Sequence, residues 1–369
     1  MRDPIRLAIE QKEAGARNID FSLFWKVWDL LHREYLRKDE IRDRDLLYGA
    51  ISGLARSLGD PYTTFLTPEE NEVIKAGING EYEGIGAELG MRDEQLVIIA
   101  PLEGSPAEQA GVEAGDKILK VDGEETRGIG LSEAVSKIRG KAGTVVTLTL
   151  GRELEEGTFD ISVTRGRITL ESVKWEDKGD GIVYIRISRF GERTVSEWDT
   201  AVSNVLKNIS SPEGLILDLR NNPGGLLGAS VEIASDFSDQ GTIVIQEFAD
   251  GERKDFKSTR LGKLSSVPVV ILLNKGSASA SEIIASALRQ NCQARIIGEK
   301  SFGKGTVQDA QNLPDGSGIH ITIAKWLTPE GKCIDGVGLS PDFEVAVTKE
   351  DVEAERDPQL EKAIELINQ

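Results

Sequence analysis

The apolar run Val269-Val270-Ile271-Leu272-Leu273 stops at Asn274 and gives way to Gly276-Ser277-Ala278-Ser279-Ala280-Ser281-Glu282-Ile283, a stretch of small residues and hydroxyls. A short apolar run bounded by turn residues predicts a strand, and the spacing that follows predicts a helix over residues 280–290. A strand that turns this tightly into a helix belongs to an α/β sheet, and such sheets carry their functional loops at strand ends. The same alternation recurs from residue 166 onward. Strands are expected at 181–187, 214–219, 242–248, 269–273, 294–298 and 319–326, with helices at 195–206, 229–237 and 280–290. The expected fold is therefore a mixed α/β core whose turns after residues 219 and 273 converge on one sheet edge.

The second of those turns offers a hydroxyl nucleophile in a chain that holds only His32 and His320, neither of them near an activated serine in sequence. A serine still needs a base, and a lysine serves when a desolvated site lowers its pKa toward neutrality. Phe302-Gly303-Lys304-Gly305-Thr306-Val307-Gln308 supplies a lone lysine between two glycines. Together the segments read as a serine/lysine dyad. Ser277, Ser279 and Ser281 alternate with alanines, so chemistry alone does not choose among them. The turn Asp218-Leu219-Arg220-Asn221-Asn222-Pro223-Gly224-Gly225 ends another apolar strand in paired glycines, which let backbone approach a substrate and direct N–H groups at it. Turn chemistry alone explains the same residues. Residues 298–304 also spell G-x-x-x-x-G-K, but a phosphate-binding loop needs Ser or Thr after the lysine and a helix behind it. Here Gly305 follows, and Pro314, Gly316 and Gly318 mark a turn.

These segments strongly resemble the carboxyl-terminal processing proteases. The resemblance implies Ser279 as nucleophile, because the family separates serine and lysine by 25 positions, with Lys304 as general base and Gln308 as the residue that orients it. It further implies an oxyanion hole from the N–H groups of Ala280 and Gly224, with Gly225 as the neighbouring alternative, and it leaves Ser281 as a helix N-cap. The implied core layout is that of the crotonase and Clp-protease folds. The match continues through Asp335-Gly336-Val337-Gly338-Leu339-Ser340-Pro341-Asp342 to a final helix at 358–367.

Residues 78–165 resemble a PDZ domain. Glu83-Gly84-Ile85-Gly86-Ala87-Glu88-Leu89 is a glycine-bearing loop entering a strand, and the segment from Gly104 to Gly123 adds a short helix and a strand-turn. In such a module Gly84, Ile85, Gly86 and Ala87 present N–H groups to a terminal carboxylate, while a helix bearing Leu131, Ala134, Val135 and Ile138 walls the groove. Backbone dipoles rather than lysines then receive the carboxylate. Arg139 ends that helix, either as a solvated cation favoured by the helix dipole or as a sensor that couples peptide occupancy to the protease core. Ahead of the module, Phe21, Phe24, Trp25, Trp28 and Leu31 form one helix stripe, which is either core or subunit interface. The family's terminal helices commonly dimerise, so a homo-oligomer is implied. The expected organisation is a helical domain at 1–76, a PDZ domain at 78–165, an α/β serine protease core at 166–345 and a helical element at 346–369.

At 369 residues the chain exceeds what one core organises. No apolar run approaches the ~18 residues that span a membrane. A net charge of −18 argues against a nucleic-acid surface. Cys292 and Cys333 lie outside metal-ligand spacing and read as structural residues, and no metal or cofactor is expected. Met1-Arg2-Asp3-Pro4 opens without an apolar signal segment, which alone predicts a cytoplasmic chain. Family members are usually exported or membrane-anchored, so the resemblance implies an extracytoplasmic location, periplasmic or at the cell surface. The expected function is a serine endopeptidase that recognises C-terminal tails of protein substrates through its PDZ domain and cleaves them by way of an acyl-enzyme on Ser279. An adaptor or regulator protein is a further expected partner. Two alternatives share parts of this reading: a tail-binding protein without catalysis, and a crotonase-like acyl-coenzyme A enzyme, which needs neither a PDZ module nor the Ser279/Lys304 pair.

Overall fold

The structure, a computed structural model, describes residues 19–92, 95–102, 104–127, 131–152, 157–238 and 240–369, so the opening residues Met1 to Pro4 lie outside the described residues. The chain divides into two compact units, Met1–Phe65 and Leu66–Gln369. In the first, the helix Ser22–Glu34 carries the aromatic stripe: the Phe24 ring lies 5.1 Å from Trp25 and 5.9 Å from Trp28, and Trp28 stacks on His32 at 5.5 Å. Among the described residues, none of this helix is buried.

The second unit is built on a six-stranded sheet in the order Val173–Asp177, Ile182–Ile187, Gly214–Asp218, Val269–Leu273, Arg295–Gly298 and Phe343–Glu344. The first pair is antiparallel and the rest are parallel. Gly214–Asp218 and Val269–Leu273 are buried at every residue, as strands covered on both faces must be. Their side chains alternate between two cores. Leu215, Leu217, Val269 and Ile271 join Trp198, Val202, Ile233 and Ile284 from the helices Thr194–Asn208, Leu227–Ser235 and Ala280–Cys292. On the other face Tyr184, Ile216, Val270 and Leu272 meet Ala363, Leu360 and Ile364 of the C-terminal helix Pro358–Ile367. Because the neighbouring strands run parallel, the turns that follow Asp218 and Leu273 leave the sheet at the same edge.

A second, antiparallel sheet places Gly318–Leu327 between Thr306–Asn312 and Thr242–Phe248, and the last of these also pairs with Arg253–Lys257. The loop holding Lys304 runs from one sheet to the other. It leaves Arg295–Gly298 and enters Thr306–Asn312.

The strands Ala87–Arg92, Gln95–Pro101, Lys117–Val121, Val145–Gly151 and Phe159–Thr164 form a separate sheet with its own core of Ile98, Ile118, Val146, Leu148 and Leu150. The helix Leu131–Ile138 packs beside it, and an antiparallel ribbon of Glu81–Gly84 with Gly166–Thr169 joins this module to the rest of the unit. Pro68–Asn79, which sequence reading places in the N-terminal helical domain, groups with the larger unit. Cys292 and Cys333 are free thiols. No helix among the described residues is long and apolar enough to cross a membrane.

Candidate active site

Leu273 ends its strand, and six residues later Ser279 is the N-cap of the helix Ala280–Cys292. Ser279 has φ 53° and ψ −115°, a conformation that non-glycine residues adopt at a cost of ~1–3 kcal/mol and that clusters at functional sites. The flanking serines are tied down: the Ser277 hydroxyl donates to the Leu219 carbonyl at 2.8 Å and the Ser281 hydroxyl to the Asn222 carbonyl at 2.9 Å, and both residues are fully buried. Ser279 lies half-buried between them. Tertiary partners thus separate three serines that sequence chemistry leaves equivalent. Ser281 is also not the N-cap it was expected to be. The N-cap falls two residues earlier, at Ser279, and the Ser281 hydroxyl is spent across the turn.

The second turn leans directly on this one. A side chain at Gly224, where φ is 100°, would lie 2.8 Å from both the Ala278 carbonyl oxygen and Ser279 Cβ, so only glycine lets the two backbones meet. Asn222, fully buried, donates through Nδ2 to the Ile187 carbonyl at 2.8 Å and accepts the Gly224 N–H on Oδ1 at 2.9 Å. This departs from the expectation that Gly224 supplies an oxyanion donor. An asparagine side chain that folds back two residues takes that N–H for itself. Among the described residues, the N–H groups of Gly225 and Ala280 have no acceptor.

Glu282 is the residue sequence reading passed over. It is fully buried and accepts four donors: the Ser279 and Lys304 N–H groups on Oε2 at 2.8 and 3.0 Å, and the Gly303 N–H and the Ser301 hydroxyl on Oε1 at 2.8 and 2.5 Å. The backbones of Ser279 and Lys304 therefore share one carboxylate oxygen. A glutamate three residues after a helix-starting serine signals a capping box, which is the only trace of this role in the sequence. The lysine loop is further seated by the Trp326 indole, which donates to the Lys304 carbonyl at 2.8 Å, and by the Gly305 N–H on Asp335 Oδ1 at 3.0 Å. Burial pushes the Lys304 ammonium below its ordinary pKa, and His320 is lowered first by burial and then by the Lys304 charge. Gln308 donates through Nε2 to the hydroxyls of Thr306 at 2.9 Å and Thr322 at 3.1 Å, which fixes the amide and directs its Oε1 elsewhere.

The residues expected to bind a peptide tail are gathered at one cavity of about 200 Å³: Gly84, Ile85, Gly86, Ala87, Val135 and Ile138 all line it, together with the regulatory candidate Arg139 and with Tyr82 and Leu89. Gly86 has φ 74°, and a side chain there would lie 2.5 Å from Ser105 Cβ. The Arg139 guanidinium sits 4.9 Å over the Tyr82 ring, a cation–π contact at the joining ribbon. Arg165, buried, caps the groove helix from below, donating to the carbonyls of Ile138 at 2.8 Å and Lys137 at 3.1 Å. Neither Tyr82 nor Arg165 carried a motif that would have marked it.

A family model described as peptidase family S41 matches residues 181–345, and one described as PDZ domain matches residues 97–152. The carboxy-terminal processing protease CtpA of Bacillus subtilis (strain 168) is 39% identical over 332 residues, covering 90% of this chain and 70% of its own length. A carboxyl-terminal-processing protease of Picosynechococcus sp. is 39% identical over 353 residues, 93% of this chain and 84% of that protein. Among solved structures, the photosystem II D1 C-terminal processing protease superposes with a TM-score of 0.53 at 31% identity, over 92% of this chain and 91% of the other.

Proposed function

Since the chain belongs to the carboxyl-terminal processing proteases of peptidase family S41, serine-type enzymes, we propose that it cleaves protein substrates through an acyl-enzyme on Ser279, with their C-terminal tails held in the PDZ groove. The observation that carries this reading is the Glu282 oxygen that holds the Ser279 and Lys304 amides together while the neighbouring serines are engaged elsewhere. Ser279 Oγ attacks the scissile carbonyl carbon and its proton passes to the neutral Lys304 amine. The N–H groups of Ala280 and Gly225 receive the oxyanion. Collapse breaks the C–N bond, and the Lys304 ammonium returns the proton to the leaving amine. Water then attacks the ester with Lys304 as base again, releasing the acid and restoring Ser279. Gln308 Oε1 orients the lysine by accepting one of its N–H groups.

Because the base must be neutral, kcat/KM is expected to rise about tenfold per pH unit on the acid side, as a single deprotonation requires. Burial lowers the Lys304 pKa, so the plateau arrives below the ordinary lysine value of 10.5. A pH–rate profile that falls as pH rises through neutrality would rule out an amine base.

Tail recognition rests on the cavity at Gly84–Ala87 and on backbone N–H groups that favour a terminal carboxylate. Cleavage of one unstructured peptide, prepared as the free acid and as the C-terminal amide, tests it. The amide is expected to lose ~10-fold in kcat/KM, mainly through KM, the size of one lost charge-assisted contact. Equal values for the two peptides would remove tail recognition while leaving peptidase activity in place. The family membership supports an extracytoplasmic site of action and, with the incompletely buried aromatic stripe of the helix Ser22–Glu34, a homo-oligomer.

A further inference from the structure

Arg220 stands in the turn that abuts Ser279, yet its side chain turns away toward the end of the chain. Its Nη1 and Nη2 donate to the two oxygens of Asp357 at 2.9 and 2.8 Å, a bidentate fork, and Nη1 also donates to Gln359 Oε1 at 3.0 Å. On the other side its Nε lies 3.0 Å from both oxygens of Asp218, which is fully buried and receives the Tyr184 hydroxyl at 2.7 Å. Asp357 is the N-cap of the C-terminal helix, accepting the Leu360 N–H on Oδ1 at 3.0 Å. One guanidinium therefore joins the end of the strand Gly214–Asp218 to a helix that lies against the opposite face of the sheet from the serine helix.

The residues just beyond Arg220 form an irregular turn held by scattered contacts. Asn221 has φ 57°, Gly224 100° and Gly225 137°; the Phe190 N–H donates to the Gly224 carbonyl at 2.9 Å and the Leu226 N–H to the Phe190 carbonyl at 2.7 Å, while Arg220 anchors the end of the turn that leaves the strand. Oxyanion donors act only when their direction is set beforehand, and a misplacement of about 1 Å in such groups costs ~100-fold in rate. We propose that the C-terminal helix is a positioning element of the catalytic site: Asp357 and Gln359, by clamping Arg220, hold the turn that offers the Gly225 N–H to the oxyanion. The enzyme is then fully active only when its last helix is docked. This rests on the serine-protease reading of the site.

The test is Asp357→Asn in the full chain. Asparagine caps helices as well as aspartate does, so the helix start survives while the charge and one fork acceptor are lost. Wild-type, Asp357→Asn and Asp357→Glu proteins are compared for kcat, KM, Tm and inhibition by a peptide boronic acid, which reproduces the tetrahedral oxyanion. The expected result for Asp357→Asn is a fall in kcat of ~10-fold or more, part of the full misplacement penalty. KM stays within ~2-fold, the boronic acid binds more weakly by the same factor as kcat falls, and Asp357→Glu recovers part of the loss. Asp357→Ser, which keeps a cap but cannot reach Arg220, replaces Asp357→Asn if that protein folds poorly. Unchanged kcat, or a loss explained by the unfolded fraction with boronic acid affinity intact, would overturn the proposal. Failure of the wild-type protein to cleave any unstructured peptide would instead overturn the reading on which it rests.

Discussion

Ser279→Ala and Lys304→Ala are each expected to lower kcat for peptide cleavage by ~10⁴-fold or more, and the double variant to be little worse than either alone, because a nucleophile and its base act as one proton-transfer unit. Single-turnover cleavage of a fluorogenic peptide, with Tm measured alongside, checks this. More than a hundredth of wild-type turnover in Ser279→Ala would refute it. Ser277→Ala and Ser281→Ala should behave differently. Each deletes a buried hydroxyl that donates to the neighbouring turn, so stability falls by ~1–3 kcal/mol while the reacting groups remain.

Glu282 carries the second large effect. Glu282→Ala strands four donors, from Ser279, Lys304, Gly303 and Ser301, in a fully buried site. With each buried unpaired group costing ~1–3 kcal/mol, the loss of unfolding free energy should reach about 4 kcal/mol or more, and turnover should vanish even where the protein stays folded. Denaturant unfolding beside the peptide assay reads both. A Glu282→Ala protein as stable as wild type would show that the carboxylate does not hold the two segments together.

How far the fold was legible depended on where each element buries its side chains. Val269–Leu273 matches its expected bounds because an all-apolar run between turn residues is what a doubly covered strand requires. Pro358–Ile367 does too, since Asp357 as N-cap with proline at the first helical position is a strong start signal. Thr306–Asn312 and Arg253–Lys257 gave no comparable signal. Their residues are polar and sit on a partly exposed antiparallel sheet, where pairing rather than pattern makes the strand.

Within the site, only the family's 25-position spacing singled out Ser279 in the sequence; the carbonyls of Leu219 and Asn222 that engage its two neighbours lie more than fifty positions earlier in the chain, and no local motif encodes them. The exchange of Gly224 for Gly225 as the free N–H has a local cause, the Asn222 side chain two residues before, and was readable in principle from the Asn-Pro-Gly turn. Glu282 looked like an ordinary capping residue because its tertiary partners lie beyond the helix it starts.

The proposed mechanism makes Ser279, activated by Lys304, the nucleophile. The most direct measurement is reaction of the folded protein with a fluorophosphonate, followed by mass spectrometric mapping of the modified peptide in wild-type and Lys304→Ala proteins. The predicted result is a single adduct on Ser279 that is lost when Lys304 is replaced. An adduct on Ser277 or Ser281, or labelling of Ser279 at the same rate without Lys304, would contradict it.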